Sequence, residues 1–246
     1  MSGKLIPMFR CVLFIFGLSS LWWGIAGLYA FEQQSSIERI ARRIILGEPF
    51  NATLLRRQIP IIEGVENATW CRQPALRSAA IVRLRMVEAA PPTSEDLRSL
   101  ENTIRSSLSC LPADPFLWLV LFWVESAQNG VKPEYLNSLR MSYQLGPNEG
   151  WIIFKRNPFA FENFARLPSD LATDAIDEFL ALIKSELYEQ AAEILSGPAW
   201  PIRDTILPRL AALPQENRKD FARFVSARGL DVAIPGVAPP RSHPWQ

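Results

Sequence analysis

Residues 111–125 read LPADPFLWLVLFWVE, and this stretch decides the fold. Asp114 followed by Pro115 is typical of a helix start, because the carboxylate can accept hydrogen bonds from free amides and proline needs no donor in the first turn. Nine apolar residues then follow without interruption, from Phe116 to Val124. Such a run is too short to cross a bilayer and too apolar for a surface helix. We therefore expect a central helix that neighbouring helices cover on most sides.

Helix signals recur on both sides of this central helix, whereas strand signals are nearly absent. Thr93 and Asp96 have the spacing of a capping box, and Gly146 with Pro147 ends the helix that follows the central one. Pro158 is expected to separate two short helices, since a proline inside a helix removes a hydrogen bond. The pattern predicts an all-α chain of α-α hairpins joined by short connections.

The N-terminal region contains an uncharged run of 21 residues, 11–31, that reads CVLFIFGLSSLWWGIAGLYAF. About 20 such residues span the hydrocarbon core of a bilayer. The run predicts an uncleaved transmembrane anchor. A signal peptide cleaved after Ala30 is the alternative, although its apolar region would be longer than usual. The expected organisation is a short N-terminal tail at 1–10, the transmembrane anchor at 11–31, an α-helical repeat domain at 32–229 and a proline-rich tail at 230–246.

Four small residues of the run fall on one helical face: Gly17, Ser20, Gly24 and Gly27. Such a face would let a second membrane helix approach closely. The alternative is that glycine and serine are simply common in membrane helices. Basic residues stand on both sides of the run and do not decide its orientation. The short N-terminal tail favours an N terminus inside the cell and a domain outside.

Charge and composition exclude several classes of function. The chain has 26 Lys and Arg against 25 Asp and Glu, a net charge of +1, so we expect no nucleic-acid partner. His243 is the only histidine and stands near the C terminus, and no glycine-rich phosphate motif occurs. We therefore predict no catalytic residue, no cofactor and no metal site. Asp174, Asp177 and Glu178 lie on one predicted helix, where a solvated face is the simplest interpretation.

Two cysteines follow the apolar run, Cys71 and Cys110. They are candidates for a disulfide in an oxidising compartment, and two separate buried thiols are the alternative. Trp151, Lys155 and Arg156 are the candidate partner-binding residues. Trp151 and Lys155 share a helix face, where a cation and an aromatic ring could contact an acidic or sugar partner. The alternative is an indole at the edge of the core beside solvated charges.

Pro112 and Pro147 lie 35 residues apart, and each precedes a new helix start. The tetratricopeptide repeat has a period of 34 residues and two helices per unit. Trp118 and Leu121 match its W-x2-L pair, whereas Phe122 stands where the repeat has glycine. On these residues the chain resembles tetratricopeptide-like helical repeat proteins, in a match that covers about residues 75–197. This resemblance implies a concave surface that binds peptides or protein helices.

The layout also resembles single-span helical-repeat proteins of bacterial exopolysaccharide and O-antigen assembly clusters, on residues 111–125 and on LGPNEGWIIFKRNP at 145–158. This resemblance implies a single-pass protein of the bacterial inner membrane with a periplasmic domain. Its partners would be the lipid bilayer and another membrane or envelope protein. We therefore predict a membrane-anchored scaffold or adaptor in envelope polysaccharide polymerisation or export, not an enzyme. A glycan-acting enzyme with paired carboxylates and a cytoplasm-facing docking module are the alternatives.

Overall fold

The computed structural model describes residues 5–68, 71–147 and 149–238, and all regular structure within them is helical. The all-α class is therefore confirmed. The chain divides into two compact units, Met1–Pro112 and Ala113–Gln246. Each unit consists of helices joined by short connections, as expected for helices that pack against their neighbours in sequence.

In the first unit, an antiparallel pair of helices carries the core. The helices are α1 (Leu5–Ile45), α2 (Ala52–Arg56), α3 (Ile59–Glu66), α4 (Gln73–Ala89) and α5 (Ser94–Cys110). α4 packs against both α5 and α1. The predicted capping box opens α5: the Thr93 hydroxyl accepts from the Asp96 amide, and the Asp96 carboxylate accepts from the Thr93 amide.

The predicted transmembrane anchor at residues 11–31 is wrong. Among the residues that the structure describes, no helix is both long enough and apolar enough to cross a membrane. In the structure the run lies inside α1, a helix of 41 residues that continues without a break through a charged stretch, with Arg42 and Arg43 in its last turn, and ends at Ile45.

A partly buried polar contact joins three helices of the first unit. The guanidinium of Arg83 on α4 donates to both carboxylate oxygens of Glu66 at the end of α3, over 2.9 and 3.0 Å. The hydroxyl of Thr103 on α5 donates to the same carboxylate. Bidentate arginine–carboxylate pairs fix geometry as well as energy, so this contact sets how α3 sits on the α4–α5 pair.

The second unit contains the central helix that the sequence predicts. Its helices are α6 (Pro115–Asn129), α7 (Leu136–Leu145), α8 (Gly150–Glu162), α9 (Ser169–Lys184), α10 (Tyr188–Ser196), α11 (Arg203–Ile206) and α12 (Gln215–Ala227). The Asp114 carboxylate caps α6 by accepting from the amides of Phe116 and Leu117. Leu121, Phe122 and Val124 of α6 are buried. α6 and α7 form a hairpin.

Pro158 lies inside α8 and does not break it, so the predicted separation into two helices is wrong. Proline cannot donate to the carbonyl of the residue four positions earlier, and an exposed helix would end or kink at that point. Here the two residues before it, Arg156 and Asn157, are fully buried and bonded to neighbouring helices. These tertiary contacts thus outweigh the tendency of proline to end a helix.

The segment after α12 lies against the core of the second unit. Ile234 is buried, and Val232 and Val237 pack against the same cluster. Arg218 of α12 donates to the carbonyl of Pro235. Gly236 has a φ of +71°, and a Cβ there would come within 2.6 Å of the Arg218 guanidinium. The sequence therefore needs glycine at the point where this segment turns over α12.

Candidate functional site

The exposed face of α8 carries two large aromatic side chains. Trp151 and Phe154 are 48% and 38% exposed, and Lys155 and Pro158 continue the same face one turn further on. The Trp151 indole N–H donates to the Glu149 carboxylate over 3.1 Å. Its ring centroid lies 4.9 Å from that of Phe116. The indole is therefore held in place while about half of its surface stays open.

A groove of about 400 Å³ runs between α8 and α10. One wall consists of Phe154, Lys155 and Pro158 of α8. The other consists of Gln190, Glu193 and Ile194 of α10, and Pro198 lies just beyond that helix. The groove therefore has apolar side chains on both walls, with a cationic group on the α8 wall and an anionic group on the α10 wall.

Lys155 and Glu193 are both exposed, and neither forms an ion pair within the described residues. The Gln190 amide is also without a hydrogen bond there. Several other charged groups of this unit form ion pairs. Arg140 contacts Asp170 over 2.8 Å, for example. Unpaired polar groups beside apolar side chains are typical of surfaces that fix the orientation of a bound partner.

Arg156 does not belong to this surface, which corrects the grouping of Trp151, Lys155 and Arg156 that the sequence suggested. Its side chain is fully buried. Trp151 and Lys155 are four residues apart and share the outer face, whereas Arg156 is turned about 100° further round the helix. Because of this spacing, Lys155 lies on the surface and Arg156 lies in the core.

The guanidinium of Arg156 ties α8 to α7 and α9. All five of its N–H groups are used. They donate to the Glu178 carboxylate on α9, to the carbonyl and hydroxyl of Ser142 on α7, and to the Gly146 carbonyl that follows α7. The guanidinium carbon also lies 4.2 Å from the centroid of the Tyr143 ring. Arg156 therefore caps the C terminus of α7 from inside the core.

Burial perturbs the acidic groups around this arginine. It raises the pKa of the Glu178 carboxyl, although the Arg156 guanidinium opposes the effect. Burial and the Glu178 charge raise the pKa of Tyr143 well above its usual range. Partial desolvation, with the charges of Asp170 and Asp177, raises the pKa of Asp174.

The carboxylates considered for glycan chemistry are engaged in different ways. Glu178 accepts from Arg156, and also from the Tyr143 hydroxyl and the Asn157 amide over 3.4 Å each. Asp177 lies 3.6 Å from the guanidinium of Arg209. Glu178 is therefore part of the packing between helices, whereas Asp177 belongs to an exposed ion pair. His243 lies outside the described residues.

The structure joins Cys71 to Cys110 in a disulfide, with the Cα atoms 5.8 Å apart. Cys71 precedes α4 by two residues, and Cys110 is the last residue of α5. The bond therefore closes the open end of the α4–α5 hairpin, opposite the connection at residues 90–93.

Gly17, Ser20, Gly24 and Gly27 lie in the exposed part of α1. A Cβ added at any of the three glycines would meet nothing within 4 Å. The described part of the chain therefore offers no helix that packs against this face.

A second groove of about 300 Å³ lies at the other end of α8, where Trp123 and Phe159 form an aromatic wall beside Glu162 and Arg166. Within the described residues, no group of three or more His, Cys, Asp or Glu side chains could hold a metal ion. Comparisons with protein-family models, with curated proteins and with solved structures each find no match to this chain. The resemblance to tetratricopeptide-like repeats stays a prediction.

The α10 wall of the larger groove is absent from the sequence-based candidates. Glu193 stands 38 positions after Lys155, and nothing local in YEQAAEIL indicates which helix will face it. Only the amphipathic pattern of that segment was informative, since it predicts that Ile194 turns inward while Glu193 turns outward.

Proposed function

We propose that this protein is an adaptor that binds a protein partner through the groove between α8 and α10. The observation that carries the proposal is the exposed aromatic pair, Trp151 and Phe154, beside a groove whose polar groups are unpaired. Exposed apolar patches of this kind mark interaction sites, and aromatic side chains supply much of the energy at protein interfaces.

The proposal assigns no catalytic role to the acidic residues of α9. Glu178 is buried and ion-paired with Arg156, and Asp177 pairs with Arg209. A general acid or base must reach its substrate within hydrogen-bond distance. The burial and pairing of Glu178, together with the surface ion pair of Asp177, support the adaptor over the glycan-acting enzyme.

We propose an oxidising compartment, such as the periplasm, as the site of action. The Cys71–Cys110 disulfide supports this, because such bonds persist outside the reducing cytosol. Envelope polysaccharide polymerisation or export is the proposed process, and it is supported by the sequence resemblance alone.

The proposal can be tested by placing the photo-cross-linking residue p-benzoylphenylalanine at position 154 in the cells that make the protein. We expect a discrete protein adduct after irradiation, and we expect Trp151→Ala to reduce it. The matched control is the same residue at position 224, because Phe224 is also an exposed phenylalanine, 42% accessible, and does not line the groove. An equal adduct pattern at both positions, or no protein adduct at 154, would refute the proposal.

A further inference from the structure

We infer that the partner presents a short segment in which one large apolar side chain stands between an acidic and a basic side chain. The apolar side chain enters the groove, the acidic one faces Lys155, and the basic one faces Glu193. This inference rests on the proposed function and deepens it by naming the chemistry of the partner.

The apolar residues that line the groove define the apolar part of the segment. Phe154, Pro158, Ile194 and Pro198 supply ring and aliphatic surface, and none of these side chains carries a polar atom. A volume of about 400 Å³ lies at the small end of the range for ligand sites. A site of this size takes one or two large side chains of a segment.

The charged residues on the two walls of the groove define the charges that the bound segment must carry. Lys155 on α8 and Glu193 on α10 stand on opposite walls, and neither has an ion-pair partner within the described residues. A segment with charges of one sign only would place a like charge against one of the two walls. Complementary charges steer the encounter and fix the register of a bound segment. A mixed pair of charges is therefore the pattern that satisfies both walls.

The test uses the cross-linked adduct from position 154 in the full chain. Mass spectrometry of the digested adduct identifies the segment, and we expect a large apolar residue with acidic and basic neighbours. Lys155→Glu and Glu193→Lys should each lower the adduct yield about fivefold or more, because each places like charges together. Lys184→Glu, at an exposed lysine outside the groove, makes the same change in net charge as Lys155→Glu and should leave the yield unchanged.

A synthetic peptide with the identified sequence completes the test. Fluorescence anisotropy should show weaker binding to Lys155→Glu, and exchange of the acidic peptide residue for lysine should restore it. The inference would be overturned if the adduct yield were unchanged by both charge reversals, or if the identified segment lacked the two charges. Either result would still agree with the proposed adaptor function. An adduct between two copies of this chain, or within one copy, would also overturn it. If cross-linking from position 154 gave no adduct in the protein without further substitutions, both the proposed function and the inference would be refuted.

Discussion

Arg156 joins three helices through one buried guanidinium, and its loss would leave both Glu178 and the end of α7 without their partner. Removal of one member of a buried ion pair is typically destabilising by about 3–5 kcal/mol, because the remaining charge is uncompensated. We expect Arg156→Met to lower the free energy of unfolding by about this amount in urea denaturation. Lys155→Met, one position earlier but exposed, should change it by less than about 0.5 kcal/mol.

Glu178→Gln provides the second half of a double-mutant cycle. In the unaltered protein it removes the charge that Arg156 binds, so we expect a loss of stability. In the Arg156→Met background it removes an unpaired buried charge, so the same substitution should be neutral or stabilising. If Glu178→Gln destabilises both backgrounds equally, the two side chains are not coupled and the assigned role of Arg156 is wrong.

Gly146 is required by a close approach. A Cβ at this position would lie 2.7 Å from the Cβ of Pro115, at the junction of α7 with the start of α6. We expect Gly146→Ala to lower the free energy of unfolding by about 1–3 kcal/mol, as overpacking does. Gly150→Ala is the control, because nothing lies within 4 Å of a Cβ there. Equal stabilities of the two variants would show that Pro115 moves aside without strain.

Sequence patterns could not predict the burial of Arg156. Its acceptors stand at residues 142, 146 and 178, and no local pattern reveals that α7, α8 and α9 bring them together. Charged side chains are almost never fully buried unless paired. An exposed position beside Lys155 was therefore the reasonable expectation. The long-range partner is the information that one sequence lacks.

At the scale of elements, capping residues were the most predictable features. Asp114 and the Thr93–Asp96 pair act over two or three residues, so their chemistry is contained in the local sequence. The uninterrupted apolar run of α6 was likewise predictable, because a helix that is apolar on all sides is stable only when other helices bury it. α8 was wrongly divided, because a proline gives a local boundary signal that the rest of the fold overrides.

The capping box of α5 makes stability depend on pH. The Thr93 amide and hydroxyl donate to the Asp96 carboxylate and hold its pKa below the ordinary value of 3.8. A lowered pKa means that the stabilisation is present above pH 3.8 and is lost as the pH falls through the folded-state pKa. Asp96→Asn should therefore destabilise at pH 7 and lose its effect in more acidic solution.

The partner residue gives an independent check on this cap. Thr93→Ala removes the donor hydroxyl, and we expect a loss of about 0.5–2 kcal/mol at pH 7 together with a weaker acid dependence of the Asp96 contribution. Urea denaturation between pH 7 and strongly acidic pH measures both effects. A difference between Asp96→Asn and the unaltered protein that stays constant over this range would contradict the assignment.

At the scale of the whole molecule, the disulfide acts in one unit only. Cys71 and Cys110 both belong to Met1–Pro112 and enclose a loop with a sequence separation of 39. In the chain-entropy model, a loop of this size contributes roughly 3–4 kcal/mol. We expect Cys71→Ser with Cys110→Ser to reduce amide hydrogen-exchange protection in α4 and α5. Protection in α9 and α12 should be unchanged, and a loss there would show that the bond stabilises the whole chain.

The same bond has a mechanical consequence. When the chain is pulled from its two ends, the covalent bridge carries the tension past the α4–α5 hairpin, so residues 72–109 stay slack even after their helices unfold. With a separation of 39 residues and about 3.4 Å per extended residue, the oxidised chain is about 13 nm shorter than the reduced chain at full stretch. A tether between partners that move apart would thus have its reach set by the redox state of two sulfur atoms.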